Sequence, residues 1–157
     1  MSTLNKKKAM YAGSFDPFTN GHLYILKEAS MLFDEVTVCI AKNENKKRSF
    51  CSSDEMKERI LKVIKNNNLN NVNVIVYDGL IAKKCEEENI RYLIRGIRDT
   101  SDYLYEERIA RTNFEINKDL KTIYFRAEND AISSSLVRVL YDNKMSIDQY
   151  VPNEILN

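Results

Sequence analysis

Tryptophan is absent, histidine occurs once, and 157 residues include only four glycines, two prolines and three cysteines. Cys39, Cys51 and Cys85 are odd in number, lie far apart and form no CxxC pair, so neither a disulfide framework nor a zinc site is indicated, and free, mostly buried thiols are expected. No run of about 18 apolar residues occurs, and the basic start MSTLNKKKAMYAG is followed by no apolar stretch of signal-peptide length, so a cytoplasmic protein is expected. Charge of one sign is lacking as well. Lys and Arg number 24 against 23 Asp and Glu, a formal net charge of +1, which provides no broad basic face for nucleic acid or an anionic membrane. Any anion must therefore be caught by local geometry, which makes the position of the single histidine informative.

What is present suffices for a core: hydrophobic residues make up 43% and charged residues 30%. The length suits one domain spanning 1–157. Short β-branched runs at 8–12, 35–41, 71–77, 91–94 and 121–125 read as strands. Amphipathic segments at 21–33, 56–65, 80–88, 103–117 and 134–142 read as helices, the second opened by a capping box from Ser52 to Glu55. Strict β-α alternation with long crossovers predicts an α/β fold, a five-stranded parallel sheet with helices on both faces. In such sheets ligands lie beyond the carboxyl ends of the strands. The segments 13–22, 42–50, 78–81, 95–102 and 126–135 are then the places to look, and Gly13, Gly21 and Gly96 all fall in them.

The first of these segments reads GSFDPFTNGH, residues 13–22. Gly13 lets the chain leave the strand closely, Pro17 restricts one φ, and Gly21 removes a side chain beside the first helical turn. His22 then stands at a helix N-terminus, where free N–H groups and the positive dipole end favour an anion and an imidazole can donate to a phosphate oxygen. The segment is neither a Walker A loop nor a GxGxxG fingerprint. Ser133, Ser134 and Ser135, preceded by Ile132 and followed by LVR, place three hydroxyls and unpaired N–H groups at a second helix start. Alone, that run would be an ordinary N-cap. RGIRDTSDYLYE, residues 95–106, sets Arg95 and Arg98 three apart, as suits bidentate phosphate recognition, with Glu106 following in the next helix.

Together these strings resemble known signatures. TNGH, with Thr19 first, is similar to the TxGH form of the HxGH nucleotidylyltransferase signature, and ISSSLVR resembles ISSSxVR. YAGSFDPFTNGH, the Lys46-Lys47 pair before Phe50, and RGIRDTSDYLYE resemble the pantetheine-phosphate adenylyltransferase family, from Tyr11 essentially to the end of the chain. The resemblance implies a Rossmann-like nucleotidylyltransferase fold and a reversible transfer of the adenylyl group of ATP to 4′-phosphopantetheine, giving dephospho-CoA and pyrophosphate. It also implies Mg²⁺ used with ATP, a homohexamer, and coenzyme A as a feedback ligand.

Carried across position by position, the resemblance makes His22 the stabiliser of the transition state at the α-phosphate. Ser14 and Phe15 would contact ATP, Ser14 also reaching the phosphopantetheine. Lys46 and Arg95 would hold the acceptor phosphate, and Leu80 and Ile81 would face the pantetheine arm. Gly96, Ile97, Arg98 and Glu106 would line the adenosine and phosphate region. The stretch Asn129, Asp130, Ala131, Ile132, Ser133, Ser134 and Ser135 would hold the remaining nucleotide phosphates. No protein ligands for a metal are implied. The residue types suit the chemistry, because a phosphate oxygen already ionised near neutral pH needs no general base, only in-line positioning and offset of charge.

The chain departs from the family pattern at Ala12, where Pro is common, and at Ser14, where Thr is common; Ser keeps the hydroxyl with a looser rotamer. The stretch 126–130, RAEND, lacks the aromatic character of some members, which leaves the adenine side open. Two alternatives remain: another transferase of the superfamily, acting on nicotinate mononucleotide or glycerol phosphate, and a nucleotide-binding regulator without catalysis.

Overall fold

The computed structural model describes residues 5–43 and 45–157; the first four residues of the N-terminal reading, and Glu44 in the polar 42–50 connection, lie outside them. Five strands run in parallel: β1 (Lys8–Gly13), β2 (Glu35–Ala41), β3 (Val72–Tyr77), β4 (Tyr92–Ile97) and β5 (Lys121–Arg126). They alternate with α1 (Asn20–Leu32), α2 (Ser53–Asn66), α3 (Ile81–Glu87), α4 (Thr100–Ile116) and α5 (Ser134–Asp142), and α6 (Asn153–Leu156) follows. The strand order β3-β2-β1-β4-β5 puts β1 at the centre.

Alternation along β1 sorts the core onto the two faces of the sheet. Ala9 and Tyr11 pack with Ile25 and Leu26 of α1, Met56 and Ile60 of α2, Val137 of α5 and Ile155 of α6. Met10 and Ala12 pack on the opposite face with Ala82 and Cys85 of α3, Leu93 and Leu120. Helices therefore cover both faces, as a parallel sheet requires. All three cysteines are free; Cys39 and Cys85 are buried and Cys51 is half-buried.

The departures from the sequence-based boundaries are local and have causes. Strand β4 does not stop at Ile94 but continues through Arg95, Gly96 and Ile97, which pair with Tyr124, Phe125 and Arg126. A charged residue and a glycine read as a loop, and pairing with β5 overrides them. Helix α4 begins at Thr100 rather than 103, because the Asp99 carboxylate caps the Asp102 N–H at 2.9 Å. Helix α2 begins at Ser53, with Ser52 Oγ accepting from the Glu55 N–H at 3.1 Å. Short α6 carries no strong periodic signal; Ile155 anchors it, and Arg59 Nη1 donates to the Ile155 carbonyl at 2.5 Å.

Strand order also creates the crevice. The chain steps from β1 to β2 and β3 on one side, then returns across β1 to lay down β4 and β5 on the other. Strands β1 and β4 pair only over Ala9–Tyr92, Met10–Leu93 and Tyr11–Ile94, and beyond that their carboxyl ends part. This is the topological switch point at which open α/β sheets bind ligands. The start of α1 beside it is held from the far end of the chain, the Asn20 N–H donating to the Tyr150 carbonyl at 2.8 Å.

Candidate active site

A cavity of about 360 Å³ opens where β1 and β4 part. Its walls bring together Ser14, Phe15 and His22 from the β1–α1 connection, Arg95, Gly96, Arg98 and Glu106 from β4 and α4, and Asn129, Ile132 and Ser133 to Ser135 from the β5–α5 connection. Lys46 lines an adjoining cavity of about 170 Å³, which shares Ser14 and Arg138 with the larger one. Ile97 faces a separate cleft with Asp99 and Arg126, while Asp130 and Ala131 are exposed and outside the wall. Leu80 and Ile81 line neither cavity. They follow β3, two strands from β1, and Leu80 is 55% exposed.

His22 is the third residue of α1 and closes a reciprocal capping box with Thr19. Its backbone N–H donates to Thr19 Oγ1 at 3.3 Å, and its Nδ1 accepts from the Thr19 N–H at 2.9 Å. A backbone N–H is always a donor, so Nδ1 carries no proton and in the neutral ring Nε2 does. The rings of Phe15, Phe18 and Tyr11 stand 4.9, 5.5 and 6.1 Å from the imidazole centroid and fix its plane. Burial, then the Arg95 and Arg98 charges, pulls its pKa from 6.5 down to about 3. The imidazole is thus a neutral donor aimed by its own cap. The cap uses Nδ1 and leaves Nε2 as the nitrogen able to donate.

Both arginines three apart are paired with carboxylates. Arg95 Nε and Nη2 donate to Glu106 Oε2 and Oε1 at 2.7 and 2.8 Å, and Nη1 to the Ala12 carbonyl at 2.5 Å. Burial opposes the Arg95 charge, yet the Glu106 hydrogen bonds and carboxylate outweigh it and hold its pKa above the usual range. Two of its five N–H groups remain for a ligand. The buried carboxylate of Glu106, in the cavity wall, accepts from Arg95 and orients it. Arg98 pairs likewise with Asp102, Nε to Oδ2 at 2.9 Å.

Each serine of the run has a protein partner, but only Ser134 gives it a proton. Ser133 Oγ caps the Leu136 N–H at 3.1 Å, Ser134 Oγ donates to the Pro17 carbonyl at 2.9 Å, and Ser135 Oγ receives Arg138 Nη2 at 3.1 Å. That helix start offers an anion its backbone N–H groups together with the Ser133 and Ser135 O–H groups, which accept in these bonds and keep their protons to donate. In RAEND, Asn129 Oδ1 accepts from the Ala131 N–H at 3.0 Å, a local turn that brings Asn129 to the cavity. Glycine serves this site by close approach at one position. A Cβ on Gly96 would run into Ile25 Cδ1, whereas at Gly13 and Gly21 it would meet neighbours at ordinary contact, 3.4 Å or more.

Sequence reasoning gave no role to Asp16, Arg48 or Arg138, and named Thr19 only as a signature position. Asp16 is 6% exposed; its carboxylate oxygens accept from the Ser49 and Phe50 N–H groups at 2.9 Å each, and its carbonyl accepts from Arg138 Nη1 at 2.8 Å. Only the Asp-Pro turn signal pointed to it. The partners are 33 to 122 residues away, which no local pattern reveals.

Residues 10–140 match the model of the cytidylyltransferase-like family. A phosphopantetheine adenylyltransferase of Campylobacter jejuni is 40% identical over 149 residues, covering 94% of this chain and 92% of that protein. Those of Clostridium tetani, 40% identical over 150 residues with 94% and 92% covered, and Staphylococcus carnosus, 34% over 154 residues with 97% and 94% covered, are similar in extent. Among solved structures, one from Vibrio parahaemolyticus described as a nicotinate-nucleotide adenylyltransferase superposes with a TM-score of 0.68, covering 96% of this chain and 90% of that one at 18% identity. That likeness concerns the fold.

Proposed function

The chain belongs to the phosphopantetheine adenylyltransferase family, within the cytidylyltransferase-like group, and on that footing we propose how its residues share out the reaction. The protein is a nucleotidyltransferase that moves the adenylyl group of ATP to 4′-phosphopantetheine, giving dephospho-CoA and pyrophosphate in coenzyme A synthesis. A phosphate oxygen of the acceptor attacks the α-phosphorus of ATP in line, and the bond to the bridging oxygen breaks, its electron pair leaving with pyrophosphate. The product is a P–O–P linkage, with no covalent enzyme intermediate and no general base. His22 Nε2–H donates to a non-bridging α-phosphoryl oxygen as charge gathers there. The observation that carries this reading is the Thr19 N–H on Nδ1 of the sole histidine, which leaves Nε2 protonated at the mouth of α1.

Around it, the first N–H groups of α5 and the Ser14-Phe15 backbone hold the nucleotide phosphates. Lys46 and the two uncommitted N–H groups of Arg95 draw in the acceptor phosphate, and Glu106 keeps Arg95 aimed. Gly96 lets Ile25 of α1 pack close against β4 in the wall where the nucleotide would lie. Leu80 and Ile81 meet the distal pantetheine arm only if it runs along the sheet edge past β2. We take 1–157 as one transfer unit.

Mg²⁺ is assigned to the ATP complex rather than to the protein. The carboxylates lining the main cavity, Asp102 and Glu106, are each paired with an arginine, and among the described residues no group of three or more His, Cys, Asp or Glu could hold a metal. A homohexamer and inhibition by coenzyme A follow from the family resemblance; Leu104, Tyr105 and Phe114 of α4, 56%, 61% and 42% exposed, supply apolar surface for such an assembly. The cytoplasm is the proposed site of action, and no helix among the described residues is long and apolar enough to cross a membrane.

Pyrophosphate release tests the assignment. ATP with 4′-phosphopantetheine should be turned over, and dephospho-CoA with pyrophosphate should return ATP. Turnover confined to nicotinate mononucleotide or glycerol phosphate would favour a different transferase, and ATP binding without turnover on any acceptor would favour a regulator.

A further inference from the structure

We propose that Arg48 is a positioning residue for adenylyl transfer, one that holds the Ser14-Phe15 turn and the Lys46 loop in a single fixed relation. The proposal rests on the reading of Ser14, Phe15 and Lys46 as substrate-contacting groups. Arg48 Nη1 donates to the Ser14 carbonyl at 2.5 Å, Nη2 to the Phe15 carbonyl at 2.8 Å, and Nε to the Cys51 carbonyl at 2.8 Å. One rigid planar fork thus sets two successive peptide planes of the β1–α1 connection. In a trans peptide the N–H points opposite to the carbonyl, so the Phe15 and Asp16 N–H groups face away from Arg48. Neither has an acceptor among the described residues.

Phe15 sits at φ 45°, the left-handed region, which is costly for a bulky side chain and persists only under outside restraint. Successive N–H groups around such a residue form a concavity suited to phosphate oxygens. The clasp also works in reverse. The two residues after Arg48 give their N–H groups to the Asp16 carboxylate, whose Oδ1 lies 3.9 Å from Arg48 Nη2. Lys46 is two residues before Arg48, so the end of its loop is tied to the turn that bears Ser14. The Arg48 side chain is 18% exposed, which limits competition from water.

Lysine keeps the charge at position 48 but cannot donate along three fixed directions. The test uses the full chain, in the wild type and in Arg48→Lys, Arg48→Ala, Ser14→Ala, Lys46→Ala and the doubles of Arg48→Lys with each of the last two. Melting and circular dichroism are followed beside initial rates in both substrates. Arg48→Lys should stay folded, lose kcat by about 10- to 100-fold, and show a raised KM for ATP as well as for 4′-phosphopantetheine. Each double should lose far less than the product of its singles, because Arg48 acts through the same groups. Near wild-type kcat in Arg48→Lys and Arg48→Ala would overturn the proposal. So would an effect confined to the acceptor KM, which marks a direct phosphate contact, or doubles that simply multiply. If Arg48→Ala does not fold, Arg48→Lys and its doubles decide the matter. If the wild type transfers no adenylyl group to any acceptor, the assigned reaction fails instead, and calorimetric ATP binding still tests Arg48, with weaker binding to Arg48→Lys expected and equal binding against it.

Discussion

Acidification should leave His22 neutral far below the pH at which a free histidine takes up a proton. Protonation would turn Nδ1 into a donor facing the Thr19 N–H at 2.9 Å, and would place a cation in a half-buried site near the Arg95 and Arg98 guanidiniums. The fall in pKa from 6.5 to about 3 corresponds to about 4–5 kcal/mol against the imidazolium. The folded value lies below the unfolded one, so the unfolded chain binds the proton first. The contribution to stability is complete above pH 6.5 and is lost as pH falls from 6.5 towards 3. By pH 5 the loss is about 2 kcal/mol, or about 4–8 °C in Tm for a chain of this length. His22→Asn keeps a side-chain acceptor near Thr19 without a titration, so the difference between the two melting curves isolates the effect. Because the protein has one histidine, nitrogen NMR of ¹⁵N-histidine-labelled protein shows a single imidazole. A protonated Nε2 and an unprotonated Nδ1 are expected unchanged from pH 8 to pH 5. An imidazolium at pH 6, or a proton on Nδ1, would refute the capping-box account and with it the donor role of Nε2.

His22→Ala should cost about 10²- to 10³-fold in turnover while ATP binding, measured by calorimetry, stays close to wild type; a near-normal rate in the folded variant would remove the role. Glu106→Gln leaves Arg95 without its carboxylate in a site where Glu106 is 7% exposed, and should lower stability by about 2–4 kcal/mol in urea unfolding and raise the KM for the acceptor. Gly96→Ala brings a Cβ against Ile25 Cδ1 and should cost about 1–3 kcal/mol. Ile25→Val deletes that methyl, so the double variant should recover part of the loss; strict additivity would mean that the contact is not what excludes a side chain.

The order of elements was legible because β-branched runs and capping residues are local signals. Strand β4 was read three residues short because Arg95 and Gly96 look like a loop until β5 lies beside them. Helix α6 was not read at all, since a four-residue helix is held by tertiary contacts such as that of Arg59 with the Ile155 carbonyl. In the site, the motifs located the wall of the cavity but not the partners of its charges. Leu80 and Ile81 were placed by resemblance alone, since no local pattern marks them, and the strand order sets them after β3.

By itself the sequence determined which segments meet at the carboxyl edge of the sheet: β-α alternation makes the strands parallel, and the glycine-, serine- and arginine-bearing segments all follow strands. Its near-zero net charge also required that anions be caught locally. Only the tertiary structure decided how. It paired Arg95 and Arg98 with Glu106 and Asp102, spent the Ser134 hydroxyl proton on the Pro17 carbonyl, and left two Arg95 N–H groups, the Ser133 and Ser135 hydroxyl protons, backbone N–H groups and one imidazole nitrogen as donors around the cavity. Hydrogen bonds are short and directional, so which donors stay free depends on distances between segments up to 122 residues apart, and those distances exist only once the sheet has formed.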